Sequence, residues 1–225
     1  YEKIIPYLNK FLTKKSIITD IGSTKKNVKN IKNKKLRNSL SWILSHPITG
    51  SEVSGPEHGS KNLFQKKWCI VIKNKNKVKT KKLITLWKKL GSRVILMDPI
   101  KHDKIFSVTS HLPHLIAYNL IKTAQDFQKK QKTNIIQYSA GGLRDFSRTA
   151  ASNEIMWRDI FFNNKKNIIK AIDLFTKNLN EFKRNINNLE DVNLRRKLIN
   201  AKKVRKQIIE LKQDISKPDF GREKV

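Results

Sequence analysis

Among the five histidines of this 225-residue chain, His46 sits in a setting suited to proton transfer. It follows Ser41-Trp-Ile-Leu-Ser45, an apolar run that reads as a buried strand. It precedes a loop rich in Gly, Ser and Pro, from Ile48 to Ser60, that carries Ser51, Glu52 and Ser54. An imidazole at a strand end titrates near neutrality and can take a proton from an alcohol, although a surface or satisfied core histidine fits the same pattern. Asp20-Ile-Gly-Ser23 is a second candidate. It closes the β-branched run Ile17-Ile-Thr-Asp-Ile21, at the kind of strand end where open α/β sheets bind ligands. Gly22 would let a cofactor approach the backbone closely and Ser23 would face the same crevice as His46. An ordinary strand-to-helix turn is the plainer reading, because the glycine that a phosphate loop carries five residues earlier is missing.

Two further constellations lie downstream. Ser110-His-Leu-Pro-His114 places His111 and His114 three residues apart on one helical face, with Pro113 confined to the first turn. No acidic third ligand stands at helical spacing and no cysteine is near, so no metal site is expected. In Gly141-Gly-Leu-Arg-Asp-Phe-Ser-Arg148, paired glycines open a helix on which Arg144, Asp145 and Arg148 share a face. A guanidinium held there presents the fork that grips a carboxylate through two hydrogen bonds, which lysine cannot do. A purely structural ion pair accounts for the spacing equally well.

The elements that must position these residues follow from periodicity. Strand-like runs at 17–21, 41–45, 69–72 and 93–97 alternate with helical stretches, which implies a mostly parallel α/β sheet over residues 1–97. Helical spacing of Leu83, Ile84, Leu86, Trp87 and Leu90 stops at Gly91. The pattern changes at Asp98-Pro99, an N-cap followed by proline, and residues 98–225 read as all-helical. Ile168, Ile172, Phe175, Leu179, Phe182, Ile186 and Leu189 step by three and four, aligning one apolar seam for a bundle core or a dimer interface.

Composition bounds the function. Lys and Arg number 49 against 18 Asp and Glu, a net charge of +31. That charge is spread and mostly lysine, densest between Lys73 and Lys82 in a connector, so solvated faces account for it better than a nucleic-acid interface. With mean hydropathy −0.57, no run approaches the ~20 apolar residues of a membrane span, and the N-terminus lacks the sections of a signal peptide. The single cysteine, Cys69, excludes an internal disulfide and suits a reducing, cytoplasmic compartment.

These motifs, in this order and spacing, resemble the prephenate/arogenate (cyclohexadienyl) dehydrogenase family: Asp20-Ile-Gly-Ser23, His46-Pro-Ile-Thr-Gly-Ser-Glu-Val-Ser-Gly-Pro56, Met97-Asp-Pro99, Thr109 to Ala117, Ala140 to Ala150, Met156-Trp-Arg-Asp-Ile160 and the closing Pro218-Asp-Phe-Gly-Arg222. The resemblance covers nearly the whole chain. It implies a Rossmann nucleotide-binding domain, of which residues 1–97 would be the C-terminal part, followed by a helical dimerisation domain at 98–225. It also implies a homodimer that uses NAD, or NADP, to oxidise and decarboxylate prephenate or arogenate in tyrosine biosynthesis. By the same resemblance His46 is the catalytic histidine and Arg148 binds a substrate carboxylate. Ser23, Ser51, Glu52, His111 and His114 line substrate and nicotinamide, with Asp145 and Trp157 supporting them. One departure stands out: no Gly-x-Gly-x-x-Gly turn occurs, and only about twenty residues precede Gly22 where a βαβ unit needs ~30. Since the chain opens on Tyr1, it reads as a fragment that binds NAD poorly or not at all. The rival readings are a basic nucleic-acid-binding protein and a degenerate substrate-binding protein on the same fold.

Overall fold

The structure is a computed structural model that describes residues 1–50 and 55–213. Ser51, Glu52 and the Pro218–Arg222 motif lie outside the described residues. The chain begins with helix α1 (Ile5–Phe11), followed by β1 (Ile17–Ile18), α2 (Lys26–Lys35), β2 (Ser41–Trp42) and β3 (Ser45–Pro47). Next come β4 (Trp68–Ile72), α3 (Lys77–Lys89) and β5 (Arg93–Met97). β1 pairs in parallel with β2, and β3, β4 and β5 form a second sheet in that order. Ile43 and Leu44 stitch the two together. The Ile43 amide donates to the Ile18 carbonyl at 2.8 Å, and the Ile72 amide to the Leu44 carbonyl at 2.8 Å.

The sequence periods explain the core. Successive side chains of β4 alternate between faces, so Ile70 and Ile72 meet Val28 and Leu36 around α2, while Cys69 and Val71 meet Leu83 and Trp87 of α3. Leu86 and Leu90, which share the helical pattern, stay on the solvent side. The mostly parallel arrangement expected has one antiparallel strand. β3 runs antiparallel to β4, with Ser45 opposite Val71 and Pro47 opposite Cys69, whereas β4 and β5 are parallel. Between Pro47 and Trp68 the described chain has a short 3₁₀ turn and no crossover helix, the device that usually returns a chain to a parallel start.

From Asp98 to the last described residue, Gln213, the chain is mostly helical, as the N-cap signal implies. The Asp98 carboxylate accepts from the amides of Ile100 (2.8 Å) and Lys101 (3.3 Å), opening α4 (Pro99–Phe106) with proline in its first turn. α4 passes into α5 (Leu112–Gln131) through a π turn, Ser107–His111, closed by the Leu112 amide donating to the Ser107 carbonyl. Pro113 supplies the reason. It has no amide proton, and its ring crowds the carbonyl four residues back, so the turn before it opens instead of continuing the α ladder. Four further α-helices follow among the described residues: α6 (Gly141–Ala150), α7 (Glu154–Asn163), α8 (Lys165–Asn187) and α9 (Asp191–Glu210). The apolar seam of α8 divides. Ile168 is buried beside Ala171, Ile172 and Phe175 are half-buried, and Leu179, Ile186 and Leu189 are 54%, 59% and 87% exposed.

Candidate active site

The site is assembled where β1, β3 and α2 meet α4. Asp20, at the end of β1, accepts from Gly22 N at 3.2 Å, Tyr1 Oη at 3.2 Å and Ser45 N at 3.3 Å. It also forms a buried ion pair with Lys25, whose side chain is wholly enclosed. Burial pulls the Lys25 pKa down against the opposing charges of Asp20 and Asp103. The approach that Gly22 opens is already filled, because a Cβ there would meet Tyr1 Oη at 2.0 Å. Ser23 follows, half-buried.

α2 has no local side-chain cap. Its amides are met from 78 residues away by Asp103 on α4, whose Oδ1 accepts from Lys25 N at 2.8 Å and whose Oδ2 accepts from Lys26 N at 2.9 Å. A carboxylate at a helix N-terminus is held both by these donors and by the helix dipole.

His46 lies within β3 and is buried. Its Nδ1 is 2.8 Å from Nε2 of His102, and His102 Nδ1 is 2.8 Å from Asp103 Oδ1. Phe106 packs against both rings, with centroids 5.0 and 4.5 Å away. Burial, reinforced by His102, Lys25 and His111, pushes the His46 pKa down to about 2. Burial also lowers His102, outweighing the hydrogen bond and charge of Asp103. Both rings are therefore neutral at working pH. Cys69 is inert here, its thiol pushed up to about 12 by burial.

A second polar chain links this cluster to the helical part. Asn164 Nδ2 donates to the Asp103 carbonyl at 2.8 Å and to His111 Nδ1 at 3.1 Å. His111 is fully enclosed, and its Nε2 has no hydrogen-bond partner among the described residues. Burial carries its pKa down to about 4 against the pull of Asp103. The π turn aims His111 at the edge of Trp157 (centroids 6.2 Å apart), while His114 stacks on the same indole at 3.7 Å. His114 Nδ1 donates to the Ser110 carbonyl at 2.9 Å. Its pKa is lowered first by burial and further by the nearby charge of Arg148 on α6. Arg148 and Asp145 both lie on the exposed side of α6.

Of the residues singled out in the sequence, the structure links His46, His111, His114 and Trp157 in one chain of contacts that runs through His102, Asp103 and Asn164, and Arg148 lies near enough for its charge to act on His114. Sequence reasoning missed His102, Asp103, Lys25 and Asn164. The available signal was His102-Asp103 one turn beyond the Asp98 cap, on the helix that reaches the histidine motif. A separate cavity of about 500 Å³, lined by Lys29, Lys32 and Lys73, includes none of these residues.

Residues 98–216 match the family model described as prephenate dehydrogenase, dimerization domain, and residues 1–96 match prephenate dehydrogenase, nucleotide-binding domain. The chain belongs to the prephenate dehydrogenase family. Over 174 residues it is 36% identical to a cyclohexadienyl dehydrogenase of Zymomonas mobilis, covering 76% of this chain and 59% of that protein. Over 191 residues it is 30% identical to a prephenate dehydrogenase of Bacillus subtilis, covering 84% of this chain and 51% of that protein. It therefore spans about half to three-fifths of the length of these curated relatives. The solved prephenate dehydrogenase of Aquifex aeolicus in complex with hydroxyphenyl propionate and NAD+ is 37% identical, with a TM-score of 0.84 over 92% of this chain and 72% of that one. A Synechocystis arogenate dehydrogenase, 22% identical with a TM-score of 0.73, shares the fold.

Proposed function

We propose that this chain carries the substrate-binding and proton-accepting part of a dehydrogenase that oxidises and decarboxylates prephenate to 4-hydroxyphenylpyruvate, or arogenate to tyrosine. The observation that carries this reading is the state of His46. It is buried, neutral and bonded at Nδ1, which leaves Nε2 to meet a substrate hydroxyl. Loss of hydride from the ring carbinol builds positive character at that carbon, and a neutral imidazole that takes the hydroxyl proton stabilises it. Arg148 supplies a guanidinium for a substrate carboxylate. The unpartnered Nε2 of His111 is a further donor, because Asn164 donating to Nδ1 puts the ring proton on Nε2. Ser23, Ser51, Glu52, His114, Asp145 and Trp157 complete the proposed lining.

NAD, when bound, supplies the hydride acceptor, with NADP as the alternative. Ser23 would border its nicotinamide end, while the space beside Gly22, expected from the sequence to serve the cofactor, is taken by Tyr1. No Gly-x-Gly-x-x-Gly turn occurs in these 225 residues to cradle its pyrophosphate. The exposed half of the α8 seam supports a homodimer through the helical part. No helix among the described residues is long and apolar enough to cross a membrane, and the free buried cysteine suits a cytoplasmic location.

The test is NADH formation at 340 nm with prephenate and with arogenate, using the native-length protein and its His46→Asn variant. Turnover on one or both substrates is expected, with kcat falling on the order of 10²-fold or more in the variant and KM changing little. Binding of prephenate without turnover in the unsubstituted protein would overturn the dehydrogenase reading in favour of a degenerate binding protein.

A further inference from the structure

We propose that His102 and Asp103 are positioning residues for this reaction: they hold His46 in the tautomer whose Nε2 accepts the hydroxyl proton, and they supply the counter-charge for the imidazolium that forms. The proposal rests on the dehydrogenase reading above. Its first half follows from donor and acceptor arithmetic. Asp103 is a carboxylate, so it only accepts, and its oxygens already take the amides of Lys25 and Lys26. His102 must therefore donate from Nδ1 to Oδ1. Being neutral, it is left with an accepting Nε2. His46 must then donate from Nδ1 across the 2.8 Å contact, and its own Nε2 is left with a lone pair. Each link is buried, with the side chains of His102 and Asp103 at 0% and 1% exposure, so water cannot substitute for a missing partner.

The second half follows from charge. The titratable groups around His46 are Lys25 and Asp20 from the turn after β1, His102 and Asp103 from α4, His111 from the π turn, and Cys69, whose thiol meets the His46 backbone from β4. Lys25 is paired with Asp20 but its charge still disfavours a proton on His46 in the resting protein. Asp103 is the carboxylate joined to His46 through two buried hydrogen bonds. An enclosed histidine that resists protonation in the resting protein can still carry a proton briefly if that carboxylate faces it through a polarisable ring.

The stoichiometry makes a brief stay sufficient. As the hydride leaves the ring carbon with its electron pair, the O–H bond breaks, its electrons form a C=O bond and the proton joins His46 Nε2. The bond to the ring carboxylate then breaks and CO2 departs. The released electron pair flows through the ring onto the oxygen, which takes the same proton back from His46 as the ring becomes aromatic. No net proton is released, and no path to bulk water is needed.

Two measurements test this. Nitrogen-15 NMR of the histidine rings in the unsubstituted protein should show His46, assigned by its loss in His46→Asn, protonated at Nδ1 and bare at Nε2 between pH 5 and 8. In His102→Phe, which leaves Asp103 to cap α2, the His46 signals should shift to a mixture of tautomers. In the native-length enzyme, His102→Phe and Asp103→Asn should each lower kcat on the order of 10²-fold while changing KM less than about threefold. A His46 ring protonated at Nε2, or a His102→Phe enzyme with kcat within threefold of the unsubstituted protein, would overturn the proposal. Should Asp103→Asn fail to fold, His102→Phe and the NMR experiment still decide it. Absence of turnover in the unsubstituted enzyme would instead overturn the dehydrogenase reading and leave the tautomer result standing.

Discussion

A histidine kept neutral by burial ties stability to pH, and this chain encloses several. His46 and His111 titrate in the fold at about 2 and about 4, and His102 and His114 are also lowered. In the unfolded chain each titrates near 6.5. Below that value the unfolded chain binds protons that the folded one refuses, so the stability present above pH 6.5 is lost as pH falls toward the folded values. Between pH 6.5 and 5, His46 and His111 together should cost on the order of 3–4 kcal/mol. Urea unfolding at pH 7.5 and 5.0 measures this, and His46→Asn should shrink the difference by about half of the part owed to these two rings. Equal stability at the two pH values would contradict the enclosure of these rings. At this scale the sequence offered as candidates the residues of distinctive type, such as His46, His111, His114, Trp157 and Arg148. It concealed Lys25, one of 49 Lys and Arg spread along the chain, because composition does not reveal that a single lysine is enclosed against Asp20. Asp103 was hidden for a related reason: its partners, the Lys25 and Lys26 amides, lie 78 and 77 residues away.

Among the elements, those with a local signal were legible. β5 spans Arg93–Met97 as its apolar run implies, and α4 starts at the Asp98 cap. The run at 41–45 instead splits into β2 and β3 where the chain changes sheets, and hydrophobic period carries no information about strand direction, so the antiparallel β3 was not foreseen. The α8 seam shows the same limit from another side. Its spacing allowed a core or an interface, and the fold uses Ile168 for the first while leaving Leu179, Ile186 and Leu189 to solvent. The stripe lies on a helix of the segment that matches the family's dimerization domain, and the homodimer proposed above would cover it. Replacing Leu179 and Ile186 together by Lys should convert a dimer to monomers in sedimentation velocity, with helical circular dichroism retained. An unchanged sedimentation coefficient would show that the dimer forms elsewhere.

For the whole molecule, the family models divide at 96 and 98, yet the bonds do not respect that division. Asp103 and His102 lie beyond it, while the amides of Lys25 and Lys26 and the ring of His46 lie before it. Each part would bury unpaired polar groups without the other, which couples them energetically. Far-ultraviolet circular dichroism and tryptophan fluorescence should therefore report one coincident thermal transition. Two separated transitions would mean that the parts fold independently. The sequence shows a change of period at Asp98-Pro99 but could not show that the first helix beyond it bonds to residues before it.

The π turn between α4 and α5 makes that dependence a matter of length. Ser107–His111 holds one residue more per turn than an α-helix, and a deletion within it would regularise the ladder while rotating α5 by about 100° relative to α4. His102 and Asp103 would keep their partners on the sheet side, but His111 and His114 would swing away from Trp157. Replacing Val108, which is half exposed, leaves the count of residues intact. Shortening the segment by one does not, so this junction tolerates changes of side chain far better than changes of size.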